Sequence, residues 1–248
     1  MTYKAEAPSK KSDQLGFRPK RFWKTTAVVA RDNGFAIALD GRTVKTPSGA
    51  ELVLPNAVLA GLVEAEWAAV DKHVDYEYMP LTRFGFAAVD RMSEVQDATL
   101  AEVLRYAETD LVCYPSQYPE ALIVRENEAW LPLLAWADSA QGLRFIQNHS
   151  LTHAAQPATT VARLRDIVLG LTTYQQAGLT AAIPLFGSVV LALALLAGHL
   201  TGNEAYAASR VGEDFQAETW GRDEEAAKRA DSHRALAVSL EVWFRALT

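Results

Sequence analysis

The residues able to carry chemistry are few and scattered. His149 and His153 stand four apart, a spacing that on a helix puts two imidazoles on one face for a metal ion. They sit in QNHSLTHAAQP, a polar stretch closed by a proline, with no third histidine or cysteine nearby. That context reads as two surface histidines on a loop. Cys113, the single cysteine, lies in TDLVCYP. A catalytic thiol needs a base and an electropositive setting. Neither adjoins it, and it reads as a small buried hydrophobe. His233 falls near the apolar side of the last helix and reads as a hydrogen-bonded core histidine. Asp223, Glu224 and Glu225 open that helix, where acids complement the dipole. Glu213 and Asp214 read as mid-helix, so the dipole does not account for them. They are a solvated face or a recognition patch for a basic partner. Adjacent helical acids point about 100° apart, which does not suit a carboxylate pair acting across a glycoside.

Motifs that would supply chemistry by other means are missing. The chain has no G-x-G-x-x-G, no G-x-x-x-x-G-K-[ST], no G-x-S-x-G and no H-E-x-x-H, so no cofactor, metal or standard nucleotide cradle is expected. At 248 residues, 50% hydrophobic and 22% charged, it is long and apolar enough for a sizeable core without staples. One cysteine excludes an internal disulfide framework. A net charge of -6 argues against a general nucleic-acid binder.

The elements that must position these residues follow from periodicity. Short runs at 25–30, 35–39, 43–45 and 51–54, with turns at Arg31-Asp32-Asn33-Gly34, Asp40-Gly41 and Pro47-Ser48-Gly49, read as a small antiparallel sheet. From Asn56, a good N-cap, apolar residues at Val58, Leu59, Leu62, Val63, Trp67 and Val70 define a helix face. Residues 74–83, with Met79-Pro80-Leu81-Thr82, read as irregular. Beyond Asp90 the pattern is helical. Ser93 and Gln96 form a capping box. A helix with Trp130, Leu133, Leu134 and Ala137 tolerates Pro132 only in its first turn. Thr160 caps the next, and Asn203 caps one that runs past Val211 and Phe215 to Gly221. Residues 167–203 carry no charge. Their Ala/Leu-rich core, 179–200, reads as one central helix of a bundle rather than a membrane span. The six tryptophans are mostly core, and an exposed one would be an interface anchor.

The expected fold is therefore α+β. Residues 1–20 form a flexible basic tail, 21–90 a small N-terminal α/β domain with antiparallel strands, and 91–248 a larger all-helical bundle. The basic opening stretch, Met1 to Lys24, lacks the apolar run of an export signal and fits a mitochondrial presequence poorly.

An ordered series of short motifs then stands out: Arg21-Phe22-Trp23-Lys24; Leu39-Asp40-Gly41-Arg42 with Lys45-Thr46-Pro47; Glu66-Trp67; Met79-Pro80-Leu81-Thr82; Thr109-Asp110 and Cys113-Tyr114; Trp130, Pro132 and Trp136; and Phe215-Gln216 with Trp220-Gly221. In this order and spacing the chain resembles the ATP synthase F1 complex assembly factor 2 family, over about residues 20–247. The resemblance implies a non-enzymatic chaperone that binds the newly made F1 α subunit, masks its β-contacting interface and releases it on assembly. It also implies a small α/β domain followed by a helical bundle. The family's functional positions map onto Glu213 and Asp214 as partner-binding acids and Trp67 as structural support. Family sequences often carry a longer acidic run, where this chain has Gly212. A monomer in a bacterial cytoplasm, or in a mitochondrial matrix if the source is eukaryotic, is the matching expectation, with no stable membrane insertion. The rival reading is a small-molecule site in the cleft between domains, built from Arg42, Lys45, Asp110 and His233.

Overall fold

The computed structural model describes residues 18–90, 92, 96–150, 152–221 and 224–248. Most of the expected basic tail, together with Ser93 of the expected capping box and Asp223, lies outside them. The architecture is α+β, a four-stranded antiparallel sheet followed by helices.

Strands β1 (Thr26–Arg31) and β2 (Gly34–Leu39) pair from Thr26↔Leu39 to Arg31↔Gly34, joined by the Asp32-Asn33 turn. Glycine is required at position 34, because a Cβ there would lie 2.3 Å from the Leu54 carbonyl oxygen. Strands β3 (Arg42–Thr43) and β4 (Val53–Leu54) both pair with β2, at opposite ends of its other edge. The Asp40-Gly41 turn has positive φ at both residues (47° and 79°), as a tight hairpin demands. The Asp40 carboxylate accepts from the Thr25 N–H (2.8 Å) and the Lys24 N–H (3.0 Å). Those bonds favour its charged form and lower its pKa.

Helix α1 (Ala57–Ala69) packs on this sheet. The Asn56 side chain caps it by accepting from the Leu59 N–H at 2.9 Å. Leu59, Ala60, Val63 and Trp67 are its buried face, while Val58 turns outward.

The stretch read as irregular, 74–83, holds a single 3-10 turn (Tyr76–Tyr78) and ends in the first residues of a helix, α2 (Pro80–Asp90). Proline at the first helical position costs no hydrogen bond. The Glu66 carboxylate accepts from the Leu81 N–H (2.8 Å), the Thr82 N–H (2.8 Å) and the Thr82 hydroxyl (2.7 Å). The cap thus comes from α1, fourteen positions before the helix begins, and no local rule finds it.

The helical part comprises α3 (Gln96–Glu108), α4 (Glu120–Gln141), α5 (Ala158–Gly170), α6 (Thr173–Phe186), α7 (Val189–Leu196), α8 (Gly202–Ser209), α9 (Val211–Trp220) and α10 (Glu224–Arg245). Several boundaries differ from expectation. Pro132 sits in the middle of α4, which runs straight through it. Thr160 is not a cap; α5 starts at Ala158, and the buried Thr160 hydroxyl donates to the Arg144 carbonyl at 2.7 Å. Thr201, not Asn203, caps α8, in a capping box with Glu204.

The long uncharged segment is not one helix. Gly187 ends α6 in the left-handed conformation (φ 63°) and Ser188 caps α7. Asp110 explains the break. Its buried carboxylate accepts from the Val189 N–H (2.7 Å), the Val190 N–H (3.1 Å) and the Val112 N–H (3.2 Å). A new helix N-terminus is thereby satisfied from 79 residues away. Helix α7 is apolar all round and is buried from Val189 to Leu195, as such a helix must be. No helix among the described residues is long and apolar enough to cross a membrane.

One core runs from the sheet into the bundle, from Ile37 and Trp67 through Phe84 to Trp243 and Phe244. Polar bonds tie its two ends. The Asn56 amide donates to the Ala246 carbonyl (2.7 Å) and the Tyr174 hydroxyl to the Val53 carbonyl (2.7 Å), while within the bundle the Trp243 indole donates to the Tyr174 carbonyl (2.9 Å).

Candidate functional site

The acids Glu213 and Asp214 are not mid-helix. The chain breaks at Arg210 (φ -112°, ψ 7°), so α8 and α9 are separate and both acids fall in the first turn of α9. There they complement the helix dipole. Gly212 lies in the same turn, where its conformational cost is smaller than in a helix interior. Arg210 forms ion pairs with Glu213 and with Asp214, the latter at 3.5 Å. The pairs follow from the i,i+3 and i,i+4 spacing, a signal the sequence held.

Helix α9 has no buried residue. Polar contacts fasten it to α4: Arg125 pairs with Glu218 at 2.8 Å and lies over the Phe215 ring at 5.2 Å. Just before α9, the buried Trp130 indole donates to the Ala208 carbonyl at 2.8 Å. The Glu213 and Asp214 side chains are 64% and 42% exposed. Trp220, at the other end of α9, is 79% exposed.

The four residues of the rival reading do not come together. Arg42 and the nearby Lys45 belong to the sheet. Asp110 is sealed against α7. His233 is exposed on α10, not a core histidine. Burial pushes the Asp110 carboxyl up to about 6 and the Cys113 thiol above its ordinary range. A thiol held protonated is a poor nucleophile. His153 accepts or shares a hydrogen bond with the Tyr114 hydroxyl at 3.0 Å. Among the described residues no three His, Cys, Asp or Glu side chains group as for a metal. A groove of about 550 Å³ does separate the start of α2 from α10, with Tyr78, Arg83, His233 and Leu236 on its walls. Of its two acids, Glu66 and Glu77, Glu66 is already committed to the α2 N-terminus, and burial raises its pKa.

Comparison with known proteins decides the family. Residues 20–138 match the family model described as ATP12 chaperone protein. The Schizosaccharomyces pombe protein atp12, mitochondrial, is 26% identical over 219 residues, covering 84% of this chain and 75% of that one. The crystal structure of Atp12 from Paracoccus denitrificans superposes with a TM-score of 0.87 at 34% identity, over 93% of this chain and 99% of the other. The Atu1473 protein of Agrobacterium tumefaciens, described as a candidate chaperone, gives a TM-score of 0.87 at 36% identity, over 93% of this chain and 87% of the other. The chain belongs to the ATP12 chaperone family.

In this ATP12 family member the motif residues hold elements to one another. Arg21 donates to the carbonyls of Ala68 (3.3 Å) and Val70, which gathers the unsatisfied end of α1, and to that of Trp23 (3.1 Å). Glu66 and Asp110 cap helices remote in sequence, as described. Trp67 is 5% exposed, with its ring 5.5 Å from Trp23 and 6.3 Å from Tyr76. Relatives of the ATP12 type come from a mitochondrion and from bacteria.

Proposed function

We propose that this ATP12 family chaperone, a factor of ATP synthase assembly, holds the unassembled F1 α subunit through the outer face of α9. Glu213 and Asp214 bind basic residues of the client there, and Trp67 supports the fold from within. The protein masks the β-contacting interface of α and releases it when the F1 sector assembles. It needs no catalysis, because a reversible mask on an aggregation-prone surface works by mass action alone.

The observation that carries this reading is α9 itself. A ten-residue helix with no buried side chain, fastened by Arg125 and displaying two acids and a tryptophan, contributes little to the core. Exposed aromatic and charged residues on a rigid element are what an interface uses.

The test is co-expression with the F1 α subunit, followed by size-exclusion chromatography. Wild type is expected to yield a soluble complex that dissociates when β is added. The Glu213→Lys, Asp214→Lys double variant is expected to keep the core and its cooperative unfolding, to loosen the first turn of α9 where the acids meet the dipole and Arg210, and to lose most α binding. Undiminished binding by that variant would remove the acids from the interface. Failure of wild type to keep α soluble would remove the function.

A further inference from the structure

A second feature of the same face has opposite chemistry. Behind the acids lies a cleft of about 480 Å³, within the range of ligand pockets. Its floor is Pro184, Leu185 and Phe186 at the end of α6. Tyr206 and Arg210 form one wall, and Arg229 with His233 on α10 the other. Glu213 reaches the rim, already paired with Arg210.

The cations lie inward of their acids. The Arg210 side chain is 20% exposed, against 64% for Glu213. Both Arg210 and Arg234 stand over the Tyr206 ring, at 5.7 and 5.9 Å. Arg229 uses one terminal nitrogen on Glu225 (3.1 Å). A guanidinium carries five N–H donors, so each of these forks has donors to spare.

The observation that points to a ligand is Tyr206. It is 3% exposed; Arg210 stands close enough to donate to its buried hydroxyl, but no group among the described residues accepts from it. Burial raises its pKa, so it is a phenol and can donate. A buried donor without an acceptor is costly and uncommon. Here it adjoins guanidinium groups, which have no acceptor to offer it. The missing partner is an acceptor, and the surrounding charge makes a negative one favourable.

We propose that this cleft binds a carboxylate side chain of the client, an aspartate or glutamate flanked by apolar residues. The carboxylate bridges Arg210 and Arg229 and accepts from the Tyr206 hydroxyl, while the neighbouring apolar side chain lies on Pro184, Leu185 and Phe186. The face then reads both signs: a base on Glu213 and Asp214 outside, an acid in the cleft behind them. Like charges placed in either position are rejected, which makes the pair selective. The client assignment rests on the function proposed above; the carboxylate preference does not.

The experiment titrates the isotope-labelled full chain with acetyl-Leu-Asp-Leu-amide and with its asparagine counterpart, followed by amide NMR shifts. The aspartate peptide is expected to shift Gly187, Tyr206 and Arg229, and to bind at least tenfold more tightly than the asparagine peptide. Tyr206→Phe is expected to weaken it at least threefold with a nearly unchanged melting temperature, since the lost hydroxyl donates to nothing among the described residues. Arg229→Gln is expected to weaken it about tenfold. Equal binding of the two peptides, the same shifts from inorganic phosphate at equal concentration, or no effect of Tyr206→Phe would each overturn the proposal. Binding of α by the double lysine variant is measured separately, so failure of the function and failure of the cleft give different results.

Discussion

Replacing Asp110 by asparagine separates a titrating group from an architectural one. The carboxylate is fully buried, and its burial outweighs four hydrogen bonds, from Ser188 and from the backbones of Val190, Val112 and Val189. Its pKa rises from 3.8 to about 6. At about 1.4 kcal/mol per tenfold change in proton affinity, that rise corresponds to about 3 kcal/mol. The folded protein binds this proton more tightly than the unfolded chain. The contribution is therefore full below about pH 3.8 and is lost as pH rises through about 6. Roughly 2 of those 3 kcal/mol should disappear between pH 4.5 and 7.5. Asp110→Asn has no proton to lose, and its amide oxygen can still accept from Val189 and Val190 while its NH2 faces the Val112 N–H. Urea unfolding followed by tryptophan fluorescence across that range gives the two profiles. Other carboxylates titrate as well, Glu66 upward and Asp40, Asp90 and Glu204 downward. They are common to both proteins, so the difference between profiles isolates Asp110. Parallel profiles would refute the claim that this carboxyl is buried and titrates near 6.

Three other outcomes are expected. Trp67→Arg removes a ring packed on Trp23 and Tyr76 and buries a charge; a loss of about 3–5 kcal/mol, or roughly 10–15 °C in melting temperature, should appear in a thermal scan, and an unchanged midpoint would contradict the burial. Gly202→Ala should destabilise by roughly 1–3 kcal/mol, because its Cβ would lie 2.4 Å from the Ala237 carbonyl oxygen and 2.8 Å from the Val238 Cα on α10. Gly61→Ala is the opposite case: in the interior of α1, with nothing within 4 Å of the added methyl, it should stabilise by up to about 1 kcal/mol in the same unfolding assay.

The local signals in this sequence were reliable where the partner is also local. Asp32-Asn33-Gly34 makes a turn because its own backbone and β4 next door require it. Asn56 caps α1 through a bond three residues long. The motif series, read as an ordered whole, pointed to the family without any coordinates. The two acids were legible as unusual, but for the wrong reason, since their place at a helix start depends on the break at Arg210.

What local pattern did not reach was set by groups remote in sequence. The uncharged segment breaks at Gly187-Ser188 because Asp110 holds the new N-terminus of α7. Helix α2 begins at Pro80 because Glu66 caps it. Pro132 is carried inside α4, where the buried Trp130, Leu133 and Ala137 anchor the helix on both sides of it. The Tyr206 hydroxyl, and the arginines around it, converge from α8, the α8–α9 junction and α10. Composition and periodicity determined which stretches bury an apolar face. Tertiary structure alone decided where helices start and stop and which charges meet, because a backbone N–H or a guanidinium is satisfied by whichever acceptor is near in space, at any separation along the chain.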